Sequence, residues 1–489
     1  MKGLSQQQSL SDLVKACAID PLLFCRTFFK PTFRQPSPPF HREVFQILED
    51  PAHRRVALEM FRGAAKTTIL RAYVAKRLVY GISRTVLFVG LSQEHAKASL
   101  NWLRTQVEFN RLWTTVYGVE KGRRWTEDTI EVHLRPFGHR ATVMALGITG
   151  QIRGINVGDY RPDLIVVDDP MNEETAATPE QRRKIEDLVF GALDKSLAPA
   201  SECPDAKIVI LATSLHEDDL INGCHRDPNW ASRKFGVFDE NGESRWPERF
   251  PTEQLKADKE AHIQKGQHYL RLWLREMECT AVGEEGARFR LDWLRYWEAL
   301  PEDLVTVMGI DPVPPVSEAQ LERGLADRDY EVLAVVGFNK SGYFLLDYSM
   351  SRGHTPEWTI AEFFRLVDRW RPLKVRIEGV AYQKTLRWIL EKAMRDRGRY
   401  VQVDSPSDRR SKVHRVDQAL SGIASQGRFY VHRSHREFLE QFGVFPQGKH
   451  DDVVDAVARA VEAAQELAIP EVAPLYAVGP EVEYVGWAP

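Results

Sequence analysis

In "EMFRGAAKTT", residues 59–68, a Lys-Thr pair closes a loop of small residues between an apolar run and a helix-prone one. Such a loop turns backbone N–H groups and a helix N-terminus toward phosphate oxygens. Its lysine adds a point charge and its Ser/Thr hydroxyl holds Mg2+. Lys66 and Thr67 take those two places, and Gly63, Ala64, Ala65 and Thr68 complete the cradle. Ala65 stands where these loops usually carry glycine, and Met60 where the first glycine is expected. Nucleotide hydrolysis also needs a carboxylate on a neighbouring strand end for Mg2+ and a second to polarise water. "LIVVDDP" offers Asp168 for the metal and Asp169 as first choice for the water, with Glu173 and Glu174 following closely. A further apolar run ends in "LATS", placing Thr213 and Ser214 where a polar group would read the γ-phosphate.

A second set of acids lies far downstream. Two-metal phosphodiester hydrolysis needs carboxylates that converge from separate elements on divalent ions roughly 3.5–4 Å apart, and Mg2+ or Mn2+ suits all-oxygen ligands. Asp311 ends "VTVMGID", Glu378 ends "KVRIE", and Asp451 and Asp452 open a helical pattern in which Asp455 lies one turn on. A single aspartate at a helix start is ordinarily a cap; the interest here is in the set. "SPSDRRSKVHRVDQAL" concentrates Arg409, Arg410, Lys412, His414 and Arg415, and Lys384 follows Glu378, giving a density of charge suited to DNA phosphates. "RDRGR" reads as a solvated helix face.

The elements that must position these residues form two series. From about residue 51 to 220, near-continuous apolar runs ("RVALEMF", "RTVLFVG", "ATVMALG", "DLIVVDD", "AKIVILATS") alternate with amphipathic helices, the pattern of a mostly parallel sheet covered on both faces. Residues 1–50 read as a helical segment packing on that core, and 221–300 as a charged, Trp-rich bridging subdomain. A second α/β series runs through 301–470, with "VTVMGID", "YEVLAVVGFN" and "GYFLLDYSM" as an antiparallel meander, and 471–489 reads as a tail. No repeats are visible.

Bulk properties narrow the classes. A chain of 489 residues exceeds one core. Its 43% hydrophobic and 28% charged residues are those of a globular protein, and a formal net charge of -3 leaves any nucleic-acid binding to local basic patches. Five scattered cysteines form no CxxC pair, which argues against a zinc ribbon or disulfide framework and fits a reducing cytosol. No apolar run reaches the ~18 residues of a membrane span, and the polar start does not read as a secretory signal. The expectation is a soluble protein acting away from membranes.

In order, "RGAAKTT", "GQIRG", "LIVVDDP" and "LATS" resemble the large subunit of a tailed-phage terminase, whose loops tolerate Arg-x-x-x-Lys-Thr-Thr forms. "MGIDP", "VRIEG" and "HDDVVDA" are similar to the acidic motifs of its nuclease domain. The resemblance implies a P-loop NTPase domain of the additional-strand (ASCE) type followed by an RNase H-like nuclease domain. ATP and Mg2+ would serve the first, and two Mg2+ or Mn2+ the second. It makes Arg62 or Arg153 the arginine finger, in cis or in trans. It also brings Phe40 and His41 to the adenine and adds Asp329 as a fourth nuclease ligand. Where the family often has Asp-Glu, this chain has Asp168-Asp169, so the water-activating carboxylate stays open. Function follows by implication: a DNA-packaging motor that translocates duplex DNA into a procapsid and cuts concatemers, site-specifically or by headful. Its partners would be the portal protein and small terminase subunit, and its form a ring, commonly a pentamer, in the cytoplasm of an infected bacterium. A cellular helicase- or repair-type ATPase with an appended nuclease would show a second motor motif set, and 304–470 contains no second phosphate loop. A non-catalytic adaptor would have lost Lys66, Thr67 and Asp168, which are intact.

Overall fold

The computed structural model describes residues 2–148, 160–281, 287–314, 329–352, 355–377, 381–406, 410–448 and 450–467, without the side chains of 2–9 and 381–384. Arg153, Glu378, Arg409 and the proposed tail lie outside the described residues, as does the side chain of Lys384. Two compact units divide the chain: Met1–Asp292 with Leu439–Lys449, and Trp293–Phe438 with His450–Pro489.

The first unit is built on an eight-stranded sheet. Its strands are β1 (Arg55–Met60), β2 (Thr85–Gly90), β3 (Val119–Trp125), β4 (Thr129–Leu134), β5 (His139–Gly147), β6 (Leu164–Asp168), β7 (Lys207–Ala212) and β8 (Ala231–Phe235). They lie in the order β3-β4-β5-β2-β6-β7-β1-β8. From β5 to β8 every pairing is parallel, and the antiparallel β3-β4-β5 meander forms one edge. The apolar runs became these inner strands because Val, Ile and Leu fill both faces: β2 and β7 are buried along their whole length. One strand, β7, lies between the loop-bearing β1 and the acid-bearing β6.

Three strands of this sheet, β3, β4 and β8, depart from the sequence reading. β3 ("VEKGRRW") and β8 ("ASRKF") carry too few apolar residues to signal strands, and both lie at sheet edges where one side is wet. Because β8 pairs with β1 and the first unit runs to Asp292, most of the expected bridging segment 221–300 is built into the first unit. Helix Gln267–Glu278 ends against the phosphate loop: Arg62 N donates to Glu276 O at 2.7 Å. The N-terminal helices pack on helix Lys66–Val79, whose Lys76 Nζ bonds Glu49 Oε1 at 2.5 Å and Ala18 O at 2.8 Å.

The second unit carries β9 (Arg295–Tyr296), β10 (Val305–Asp311), β11 (Glu331–Asn339), β12 (Gly342–Ser351), β13 (Lys374–Ile377), β14 (Gln402–Asp404) and β15 (Phe429–Val431). The sheet order is β14-β13-β10-β11-β12-β15-β9. β10, β11 and β12 form the antiparallel meander, and β13 and β14 extend it in parallel, the strand order of an RNase H-like sheet. Helix Asp452–Leu467 lies tight on β10. A Cβ at Gly309 would fall 2.0 Å from Ala456 O and 2.5 Å from Ala460 N, so only glycine lets strand and helix come this close. Two residues beyond Gly309 is Asp311, at the end of β10.

Candidate functional site

Parallel pairing collects the C-terminal ends of β1, β6 and β7 along one edge of the first sheet, where ligands of open α/β sheets bind. Glu59 registers with Ala212, and Asp168 with Leu211, so the residues just beyond each strand meet there. Lys66 Nζ donates to Thr213 Oγ1 at 2.6 Å and to Met60 O at 3.3 Å, and stands 3.6 Å from Asp169 Oδ2. Asp169 Oδ1 accepts from Thr213 N at 2.9 Å. Thr67 hydrogen-bonds Asp168. These groups line a cavity of about 560 Å³ that also takes in Arg62, Arg71, Gly90, His95, Glu173 and Glu276.

The loop itself is strained and supported from behind. Ala65, directly before helix Lys66–Val79, has φ 70°, the left-handed region that favours glycine. Gly63, with φ 88°, packs so that a Cβ would stand 2.9 Å from Phe250. His41 Nε2–H donates to Ala64 O at 2.9 Å, and burial pushes its imidazole down to about 4, so the ring is neutral at neutral pH. Phe40 packs between Phe61 and Phe235. Both residues are buried and neither lines the cavity; Phe40 and His41 pack behind the loop.

Asp168 fits a metal ligand by its chemistry. Its Oδ1 is shielded from solvent and has no hydrogen-bond partner among the described residues. Burial pushes the carboxyl up to about 6, Asp169 adding to the rise while Thr67, Lys66 and Arg71 oppose it. Ser214 requires correction. It is fully buried, its Oγ donates to Asp219 Oδ2 at 3.2 Å and accepts from Asn222 Nδ2 at 2.7 Å, and it fastens the following turn. Alternation along the extended chain sends Thr213 to the cavity and Ser214 away from it. Thr68 also lies outside the cavity lining. Arg62 is 78% exposed and pairs with Glu276 at 3.4 Å. Glu173 is held by Arg275 at 2.9 Å. Arg71 and Glu276 were not legible as cavity residues, because each enters from helix surface or from a distant segment without a local pattern.

In the second unit, Asp311, Asp451, Asp452 and Asp455 gather around Lys412. Its Nζ stands 2.7 Å from Asp451, 3.6 Å from Asp455 and 4.0 Å from both Asp311 and Asp452. Burial pushes the Asp311 carboxyl well above the usual range, with Asp455 adding and Lys412 and Arg459 opposing. Burial likewise lifts Asp452 to about 6, against the pull of Lys412. Asp329, His450 and Asp452 form a separate trio whose ligand atoms lie within 4.8 Å of one another. Arg352 Nη2 donates to His450 Nε2 at 2.6 Å, which leaves the imidazole proton on Nδ1, 3.8 Å from Asp452. The Lys412 ammonium stands among Asp311, Asp451 and Asp452, and among the described residues the group close enough to share one metal ion is Asp329, His450 and Asp452.

Several expected roles change. Both oxygens of Asp455 accept from Arg415 Nη2, at 2.7 and 2.8 Å, and Arg459 lies 3.5 Å away, so Asp455 is spent on ion pairs and is not a ligand. Arg415 is buried and Lys412 turns inward, so neither is set to meet DNA phosphates. Arg410 pairs with Glu462 at 2.7 Å on the surface. Helical spacing put Asp455 on the right face but could not say that Arg415 would claim it.

No protein-family model matches the chain. Over 180 residues it is 26% identical to the terminase large subunit of Enterobacteria phage T3, a match that covers 36% of this chain and 29% of that relative. The chain therefore spans less than a third of the length of the curated relative it matches. Solved structures it resembles include the large terminase of bacteriophage HK97, with TM-score 0.32 and 10% identity over 88% of this chain and 95% of that one. A mutant ATPase domain of the Thermus phage P74-26 large terminase gives TM-score 0.36 and 13% identity over 52% and 98%. The large terminase nuclease of thermophilic phage G20c gives 0.28 and 15% over 37% and 98%. By its motifs and by the curated sequence match, the chain is similar to the large subunit of a phage terminase.

Proposed function

We propose that this chain is a viral DNA-packaging motor subunit that hydrolyses ATP in its first unit and cuts DNA with divalent metal ions in its second. The convergence of Lys66, Thr67, Thr213, Asp168 and Asp169 on one cavity carries the first half of the reading. Lys66 places its charge where the β- and γ-phosphates lie on the helix N-terminus. Thr67 and Asp168 would hold Mg2+, which neutralises the charge developing on the transferred phosphoryl group. Thr213, fixed by Lys66 and Asp169, reports whether the γ-phosphate is present. Asp169, half-exposed in the cavity, orients the attacking water, with Glu173 the next carboxylate on its lining. Arg62, exposed beside the loop, is the candidate finger.

In the second unit Asp311, Asp451 and Asp452, with Asp329 beside Asp452, would hold two Mg2+ or Mn2+, which would supply Lewis-acid activation for phosphodiester hydrolysis. Arg415 and Arg459 fix Asp455 beneath these ligands and so hold the start of helix Asp452–Leu467 in place. The likeness to a terminase large subunit supports duplex DNA as substrate and portal and small subunit as partners of a ring in the infected cell's cytoplasm. No helix among the described residues is long and apolar enough to cross a membrane. The test is a paired assay on the purified chain, ATP turnover against Mn2+-dependent plasmid nicking. A chain active in neither would refute the reading.

A further inference from the structure

Among the described residues three cations face the distal carboxylates, and Lys412 differs from the other two. Arg415 and Arg459 are buried and paired with Asp455, Arg459 also standing 4.0 Å from Asp311. Lys412 keeps 37% of its side chain exposed, yet its Nζ lies within 4.0 Å of all four acids. Its own helix does not favour it there. Lys412 is the first residue of helix Lys412–Ser425, the positive end of the macrodipole, where an ammonium is disfavoured. The carboxylates hold it against that field. Lysine is a compact point charge on a flexible stem, able to leave toward solvent, whereas a buried guanidinium paired through both oxygens of a carboxylate is not.

We propose that Lys412 is an internal counter-cation: its ammonium stands in for a divalent ion among Asp311, Asp451 and Asp452 and must swing out before metal binds. This inference rests on the metal-nuclease reading and adds to it the residue that sets the metal concentration at which the site loads. Without a resident cation, Asp311, Asp451 and Asp452 would repel one another at close range. With one, the empty site stays folded, and metal has to outcompete it. Arg415 and Arg459 remain on Asp455 throughout, so exchange of one lysine for metal leaves the floor of the site intact.

The full chain is tested without nucleotide, in an Asp168→Asn background that removes the first unit's metal-binding carboxylate, by titrating Mn2+ and following free Mn2+ by electron paramagnetic resonance. Binding lost on Asp311→Asn identifies the distal site. Lys412→Gln is expected to bind Mn2+ at least about tenfold more tightly, a conservative figure for one unit charge removed from within 4.0 Å of the ligands. Its metal-free melting temperature should fall and recover on adding Mn2+. Lys412→Arg, which keeps the charge, should bind no more tightly than the native chain. Unchanged or weaker Mn2+ binding by Lys412→Gln would overturn the proposal. A measurement on the native residue covers a variant that fails to fold: acylation of Lys412, followed by mass spectrometry, should rise when Mn2+ is added, and unchanged or reduced labelling sinks the idea. If the Lys412-native chain shows no Asp311-dependent Mn2+ binding at all, the nuclease reading itself fails, which is a different result from failure of the exchange.

Discussion

At the edge of the first sheet one lysine faces two aspartates across an open cavity, and an oxygen of Asp168 is left without a partner among the described residues. Among the described residues of the second unit, four carboxylates are packed close to three cations, two of which are buried. The first arrangement has ion pairs around an open cavity, Lys66 with Asp169, Arg62 with Glu276 and Arg275 with Glu173, and leaves room for an anion with its metal. The second is a charge cluster that has to be neutralised before any substrate arrives. A functional side chain can therefore be removed from the first region with little harm to the fold, whereas in the second region function and stability share residues.

Removal of Lys66 puts that contrast to its largest test. Lys66→Ala should lower ATP turnover by about 10²–10³-fold, the usual cost of losing an electrostatic contact to the reacting group, and leave Mn2+-dependent nicking unchanged. Asp311→Asn should do the reverse in the same paired assay, and a variant that lost both activities would erase the separation of the two regions. Arg415→Met leaves a buried Asp455 carboxylate with one neighbour fewer, and should cost about 3–5 kcal/mol by denaturant unfolding. Arg62→Ala, at an exposed pair, should cost less than about 1 kcal/mol. Equal losses would mean that burial does not separate the two regions.

Gly309→Ala sharpens the comparison within the second unit. The added methyl meets backbone at 2.0 Å, so β10 must part from helix Asp452–Leu467, at about 3 kcal/mol, and Asp311 should lose Mn2+ affinity with it. His41 gives the first region a pH signature. Its folded pKa of about 4 lies below the unfolded value of 6.5, so the unfolded chain binds the extra proton and stability is lost as pH falls through that window. Between pH 6.5 and about pH 5 the loss should approach 2 kcal/mol, and His41→Gln should flatten the curve. The smallest effect is expected at Ala65. Ala65→Gly relieves a left-handed alanine and should stabilise by up to about 1 kcal/mol with ATP turnover retained; destabilisation would show that the loop does not carry strain.

The parallel core could be read because strands buried on both faces are apolar throughout, as in "LIVVDD" and "KIVILA". The edge strands β3 and β8 could not, because half-wet strands of Lys, Arg and Glu look like loop. Among the site residues, Lys66, Thr67, Asp168, Asp169 and Thr213 come together, as do Asp311, Asp451 and Asp452 around Lys412, with Asp329 beside Asp452. Ser214, Asp455, Lys412 and Arg415 were given the right neighbourhood and the wrong partner. Arg352, Arg459 and Glu276 carry no local signal for their positions near the acids or the cavity, and His450, though next to Asp451, carries none for its pairing with Arg352.

From sequence alone came the order of elements and the chemistry at their ends: a phosphate loop, then an acid strand, then a polar strand end, then a distal series of acids. Backbone geometry and side-chain periodicity act over a few residues, so those properties are written locally. Tertiary structure alone decided which side chain met which: that Thr213 and not Ser214 reached the cavity, that His41 braces the loop, and that Lys412 sits among carboxylates instead of facing solvent. Such choices depend on contacts between residues far apart in the chain, Lys66 with Thr213 and Arg415 with Asp455, and are settled only when burial makes an unpaired charge costly.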